Sequence, residues 1–592
     1  MSQLLPLLVV VPLAVAALLA GLGHLLPRPV ADAGAIATAA GCAVASGWLA
    51  VGTRDQRAAA WIGDWRPRHG ESVGIALVAD GWSVALVLLT AVVVAAGLVF
   101  SWRYLEETSA TYHALTLVFL GSVSGFLLAG DLFDAFVWLE LSGVAAYALA
   151  GMRVEEAESV HAALEFAVVN TLGGSCALVG VTLLYARTGE LNLALVGQRL
   201  HAHPADPLVA LAFALLLVGA LVKAAVVPLH FWTADTEAAA PSPVCGLLSG
   251  AMVAMGGYAV ARWWWVGFDG VLSRHLVEPL LVGLGALTAL LGAVLCVQQR
   301  HIKRLLAYST ISHSGVALLG VGLLDEHGFG AAAAYLVGHA CVKVPLFLAS
   351  GVLLNRFGSV DAHDLAGRGR GLPATAAVFA FGGLGLAGIP ALGLWWGKAA
   401  LEHTLGVDHL SWLVAVVVAA GALTGGAVLA AAARVFLGWG AAGPGRPEDS
   451  EEPEEPEETP PGRTAAGLML APAVVLLALG TAVAVVPWVR GYGADAAAVF
   501  TDRRGYVAAV LGGAAAPVRG YEPSPWTVSG LLLAALAVAL AVLVAAWSLW
   551  GPRIRALVTV GHGLHRIHRA PMPEQVGWLL AGAGVIAVWL AR

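Results

Sequence analysis

The chain holds 592 residues, of which 59% are hydrophobic and only 12% are Asp, Glu, Lys or Arg, with a mean hydropathy of +0.82. Soluble domains carry about 25% charged residues, so the composition excludes a water-soluble enzyme, a disordered chain and a nucleic-acid binder. The formal net charge of −6 arises in residues 447–458, PEDSEEPEEPEE, which hold eight acidic side chains and no basic one; the rest balances 32 basic against 30 acidic residues.

A bilayer core requires about 20 apolar residues per helix. On that ruler the sequence predicts an all-α polytopic membrane protein of about sixteen spans: 4–26, 32–53, 78–101, 113–130, 132–152, 162–186, 207–230, 241–266, 276–298, 303–324, 329–354, 373–397, 410–438, 465–489, 526–550 and 574–591. The first lacks a basic n-region and reads as a membrane helix rather than a cleaved signal. Unbroken apolarity excludes barrel strands, which would alternate. Most connections are short; the long ones are the loop 54–77, the Pro/Glu-rich linker 443–464, the loop 490–525 and the basic stretch 551–573. The linker cannot bury itself and is expected to be solvated. Arginine and lysine concentrate in the loops after odd-numbered spans, which predicts outward termini and a cytoplasmic acidic linker.

Cys42, Cys176, Cys245, Cys296 and Cys341 are scattered singly. This pattern argues against a zinc site, a cysteine-ligated cluster or a disulfide framework, and no cofactor or metal is expected. Gly383, Gly385 and Gly388 satisfy GxGxxG inside an apolar span, where close helix packing explains them better than a dinucleotide.

Charges inside a bilayer are costly and mark function by default. Of 28 arginines and four lysines, the lysines Lys223, Lys343 and Lys398 fall within predicted spans. Lysine gives up its proton when desolvated, whereas guanidinium does not. Lys398 lies near a span end, where snorkelling is the competing reading; Lys223 lies deep in its span. Glu140, in LFDAFVWLELSGVAAYALAG, is the expected carboxylate partner, and Asp131 and Asp134 read as interfacial. His339 and Lys343 are four apart and share a helical face, and a neutral imidazole can relay protons. Glu165, His230 and His313 are secondary candidates; Glu165 is as readily interfacial as functional. Pro228 follows Lys223 and Gly388-Ile389-Pro390 precedes Lys398. Broken helices at matching places in two halves indicate inverted repeats, here two five-helix repeats over the fourth to thirteenth spans.

The stretch LVKAAVVPLHFWTADTEAAAPSPVCGLLSGAMVAMGGYAVAR (222–262) resembles the antiporter-like membrane subunits of respiratory complex I, of Mrp-type cation/proton antiporters and of membrane-bound hydrogenases. HIKRLLAYSTISHSGVALLG (301–320), YLVGHACVKVPLFLASG (335–351) and GLAGIPALGLWWGKAAL (385–401) continue the same order, and the likeness covers roughly 110–420. It implies N-terminal helices over 1–109, an antiporter-like conducting core over 110–440, the linker 441–464 and C-terminal helices over 465–592. It further implies a proton path through Glu140, Lys223, His339, Lys343 and Lys398, and other membrane subunits as partners. Two departures stand out. Ser249 and Ala254 occupy the eighth-helix positions where many members carry Lys or His, leaving a gap for water or His313 to bridge; Glu165 stands where many carry lysine. His562, His565 and His568 read as a basic interfacial segment ahead of a metal site. The expected function is proton translocation, with Na⁺/H⁺ exchange open, as one subunit of a larger complex in the cell membrane. A stand-alone solute transporter is the alternative, and any redox chemistry is assigned to partners.

Overall fold

The computed structural model describes residues 1–591 except 69, 103, 106–109, 203–205, 409, 441–465, 514–517, 521–525 and 552–570. The acidic linker and His562, His565 and His568 therefore lie outside the described residues.

In chain order the helices are α1 (Leu5–Leu22), α2 (Arg28–Gly52), α3 (Gly81–Ser101), α4 (Ala110–Leu128), α5 (Leu132–Ala150), α6 (Ala157–Thr188) and α7 (Leu193–His201). There follow α8 (Pro207–Lys223), α9 (Phe231–Ala239), α10 (Ser242–Phe268), α11 (Arg274–Val297), α12 (Ile302–Gly322), α13 (Glu326–Phe357), α14 (Pro373–Ala387) and α15 (Gly393–Val407). The last are α16 (Ser411–Leu437), α17 (Ala466–Val485), α18 (Pro487–Thr501), α19 (Arg503–Leu511), α20 (Val528–Trp550) and α21 (Met572–Leu590).

Their starts are written locally. Asp80 and Ser83 form a capping box on α3, Asp206 caps α8 ahead of its Pro207, Asp325 caps α13 and Thr527 caps α20. Each oxygen meets a backbone N–H that has no partner inside its helix. Gly189 and Gly358 close the two 32-residue helices α6 and α13 in the left-handed conformation that favours glycine.

Among the described residues, 13 helices are long and apolar enough to cross a bilayer, or 14 if α17 and α18, bent by 74°, count as one. The other expected segments are the bent pair and two broken ones. The breaks expected beside Pro228 and at Gly388-Ile389-Pro390 split 207–230 into α8 with α9 and 373–397 into α14 with α15. The loop 490–525 is corrected, since α18 and α19 pack over the ends of the bundle. The loop 54–77 adds a strand, Ala58–Trp61, paired antiparallel with Ala76–Ala79. Gly383 lies against Leu429 of α16, where a methyl group would come within 2.9 Å of its side chain; helix packing accounts for the glycine motif.

In the first break Ala225 has φ +55 and the Val227–Pro228 peptide is cis. Its polar groups find partners on other helices: Val227 N–H donates to Thr288 Oγ1 at 3.1 Å, Trp232 Nε1–H donates to Val222 O at 2.9 Å, and Ser314 Oγ–H donates to Ala224 O. In the second, Gly388 (φ +87) and Ala391 (φ +69) flank Pro390. Proline removes a donor in both places, and interrupted backbone is tolerated at membrane depth only where protein or water satisfies it.

A buried Glu/Lys/His axis as the candidate functional site

Lys223 is the last residue of α8, 1% exposed, with no hydrogen-bond partner for Nζ among the described residues. Its head lies over Gly143 of α5, where a methyl group would stand 2.8 Å from Nζ. Glu140, one turn earlier on α5, fills the space over Gly174 of α6, where a methyl group would stand 1.8 Å from Oε1. Two glycines thus make room for two charged heads. The charges act on each other, yet no ion pair within 4.0 Å joins them. Tyr147 also feels the Glu140 charge. Glu140 itself is half-buried, on the α5 face that exposes Phe133, Val137 and Val144.

The next cluster is fully enclosed. Lys343 of α13, 0% exposed, donates to Leu306 O and Ser309 Oγ of α12. Thr310 donates to Glu237 Oε2 at 3.4 Å and shares a 2.8 Å hydrogen bond with Ser249. Glu237, on α9 beyond the first break, is buried within reach of the Lys343 and Lys303 charges. Lys303 Nζ donates to Ala240 O at 2.5 Å.

His339 lies one turn before Lys343, with its ring 5.4 Å from that of His313. His313 Nδ1 meets Tyr335 Oη at 2.5 Å and Nε2 meets Thr424 Oγ1 at 3.0 Å. Thr424 spends its hydroxyl proton on Ala420 O at 2.7 Å. For a singly protonated ring this network assigns the proton to Nε2, with Tyr335 donating to Nδ1.

At the far end Lys398 Nζ pairs with Glu402 Oε1 at 2.7 Å, with both side chains at most 3% exposed. The Lys398 stem runs over Gly388, where a methyl group would stand 2.5 Å from Cδ. Lys223 ends α8 and Lys398 reaches over the end of α14, so each break presents the carbonyl end of a half-helix to a lysine. That is the end of the helix dipole that favours a cation.

The structure therefore brings Glu140 together with Lys223, and His339 with Lys343 and His313. Other expectations are relocated. His313 lies beyond Lys343 and does not bridge the eighth-helix gap, which Ser249, Thr310 and Glu237 fill. Glu165 faces Gln575 of α21 and the Asp235–Arg304 pair (2.8 Å), away from the axis. His230 lies in the first break with its ring against Phe231. Glu237, Tyr335, Thr310 and Glu402 were not singled out from the sequence. Of these only Glu402, four residues after Lys398, carried a readable signal.

The family model for "NADH:quinone oxidoreductase/Mrp antiporter, TM" matches residues 129–424, half of the chain, and this stretch contains every residue of the axis. The chain belongs to the NADH:quinone oxidoreductase/Mrp antiporter membrane family. Within that family, "NADH-quinone oxidoreductase subunit N 1" of Solibacter usitatus (strain Ellin6076) is 32% identical over 58% of this chain and 71% of its own. A Na(+)/H(+) antiporter subunit of Bacillus subtilis (strain 168) is 28% identical over 76% and 87% respectively. A chain of the Mrp complex from Dietzia sp. DQ12-45-1b superposes with a TM-score of 0.75 at 28% identity, covering 86% of this chain and 99% of that one. A chain of the membrane-bound sulfane sulfur reductase, an archaeal respiratory membrane complex, gives 0.74 at 25% identity, covering 86% and 100%. Like the family it joins, the protein is an integral multi-pass membrane protein.

Proposed function

We propose that this chain is a proton-translocating subunit of a multisubunit membrane complex, moving protons along Glu140, Lys223, Lys343, His339, His313 and Lys398. One observation carries the reading: buried lysines and histidines follow one another from the first helix break to the second, with a carboxylate or hydroxyl beside Lys223, Lys343, His313 and Lys398 and the His313 ring beside His339. The relatives named as subunits of NADH-quinone oxidoreductases and Na⁺/H⁺ antiporters support it, as do the two solved complexes.

The first pair does the switching. Separated charges in a low-dielectric interior respond strongly to small displacements, so movement of Glu140 governs whether Lys223 keeps its proton. The proton then passes through Glu237, Thr310 and buried water to Lys343, and by way of His339 and His313 to Lys398. The half-buried setting of Glu140 on an apolar face fits a neighbouring subunit packed against α5. In this reading residues 110–440 are the conducting core, flanked by 1–109 and 465–592, and the linker 441–464 is cytoplasmic. Both termini face outward from the cell membrane, in keeping with the basic residues of the alternate short loops. The test is proton movement in vesicles holding the assembled complex. Lys223→Ala and Glu140→Gln should each abolish acidification, and unchanged transport in both would overturn the proposal.

A further inference from the structure

Resting on that reading, we infer that Glu402 is the last proton-carrying residue of the axis, and that its proton leaves along α15 past Gly406. Glu402 touches Lys398 at 2.7 Å and is 5% exposed, so the two charges are removed from water together. A buried ion pair has a neutral alternative one proton transfer away. The Lys398 ammonium gives its proton to the Glu402 carboxylate, leaving an amine and a carboxylic acid with no net charge to desolvate. The acid then releases the proton to water and returns to carboxylate, while the amine is reloaded from the His313 side, whose ring lies within reach of the Lys398 charge.

Geometry provides the way out. Lys398, Glu402 and Gly406 stand at successive four-residue steps of α15, on one stripe of the helix. The stripe passes from two buried side chains to an exposed glycine with nothing within 4 Å of where a Cβ would stand. Gly406 is the penultimate residue of α15, so little more than one turn separates the Glu402 carboxyl from the end of the helix. The Glu402 charge also acts on Tyr335, whose hydroxyl meets His313. Glu402 is thus joined to the axis behind it and to open space ahead.

The test uses the full complex in vesicles. Infrared difference spectra during turnover should show a transient protonated-carboxyl band that is absent in Glu402→Gln and shifted in Glu402→Asp. Glu402→Gln should lower proton transport by about 10²-fold or more, the scale of a lost proton-transfer group, and Glu402→Asp should recover much of it. Gly406→Cys, once labelled with a membrane-impermeant thiol reagent, should transport several-fold more slowly than the same unlabelled variant, with native Cys176 replaced in the background. If Glu402→Gln does not assemble, the shifted band in Glu402→Asp and the labelling block still decide the matter. A band insensitive to Glu402→Asp, or labelling at Gly406→Cys that leaves transport unchanged, overturns the assignment. Loss of transport in Lys223→Ala alongside those outcomes would leave the wider reading standing, whereas full transport in Lys223→Ala would remove it as well.

Discussion

Gly174→Ala isolates the electrostatics of the first pair from the stability of the fold. The three atoms nearest to an added methyl group all belong to the Glu140 carboxylate, with Oε1 at 1.8 Å and Cδ at 2.7 Å. Ordinary contact between non-bonded atoms begins near 3.5 Å, so the carboxylate must retreat by roughly 1.5 Å. The obstacle is the end of a flexible side chain, and alanine inside a helix is about 1 kcal/mol better than glycine. The variant should therefore be at least as stable as the parent. Changing the separation of a charge pair by about 1.5 Å, for example between about 5 and about 6.5 Å at an effective dielectric of about 20, alters it by roughly 0.8 kcal/mol. That is about a fourfold change in the protonation balance at Lys223. Proton transport in vesicles should fall several-fold and its pH profile should move, while thermal unfolding in detergent stays level or rises. Unchanged transport with an unmoved pH profile would show that the position of Glu140 does not set the lysine.

Gly388→Ala forces a side chain into a left-handed conformation, at about 1–2 kcal/mol, and presses on the Lys398 stem; a lower unfolding midpoint together with slower transport is expected. Tyr335→Phe leaves His313 Nδ1 without its donor in a dry site, at about 1–3 kcal/mol; transport should slow while the second break stays intact to cysteine cross-linking of α14 and α15. Arg262 pairs with the fully buried Asp80, and its guanidinium lies 3.9 Å from the Phe500 ring centroid. Arg262→Ala strands that carboxylate, at about 3–5 kcal/mol, and should expose 487–511 to limited proteolysis well below the parent's unfolding temperature.

The membrane helices were legible because bilayer thickness imposes a length and composition on each one, and both breaks were legible from proline beside lysine. Glu140, Lys223, Lys343 and Lys398 stood out because charge is rare inside apolar runs. Glu237 did not. It lies in the mixed stretch TADTEAAAPS, which reads as a loop, and only the turn of the chain at 224–230 folds that stretch back into the interior. Tyr335 and Thr424 are unremarkable in helices of this composition, and what gives them a role is contact with His313 across 22 and 111 residues. The helices α18 and α19 were missed for a related reason: elements of fifteen and nine residues carry no span-length signal.

At each break a lysine faces two kinds of negative charge. Peptide carbonyls at the end of a half-helix cannot titrate and cannot leave, so they impose the same bias in every cycle. A glutamate can swing, pair or take up a proton, so it contributes the adjustable part. Dividing the work in this way bounds how far any one movement can tip a lysine. It lets Glu140 act as a trimmer on a setting built into the backbone.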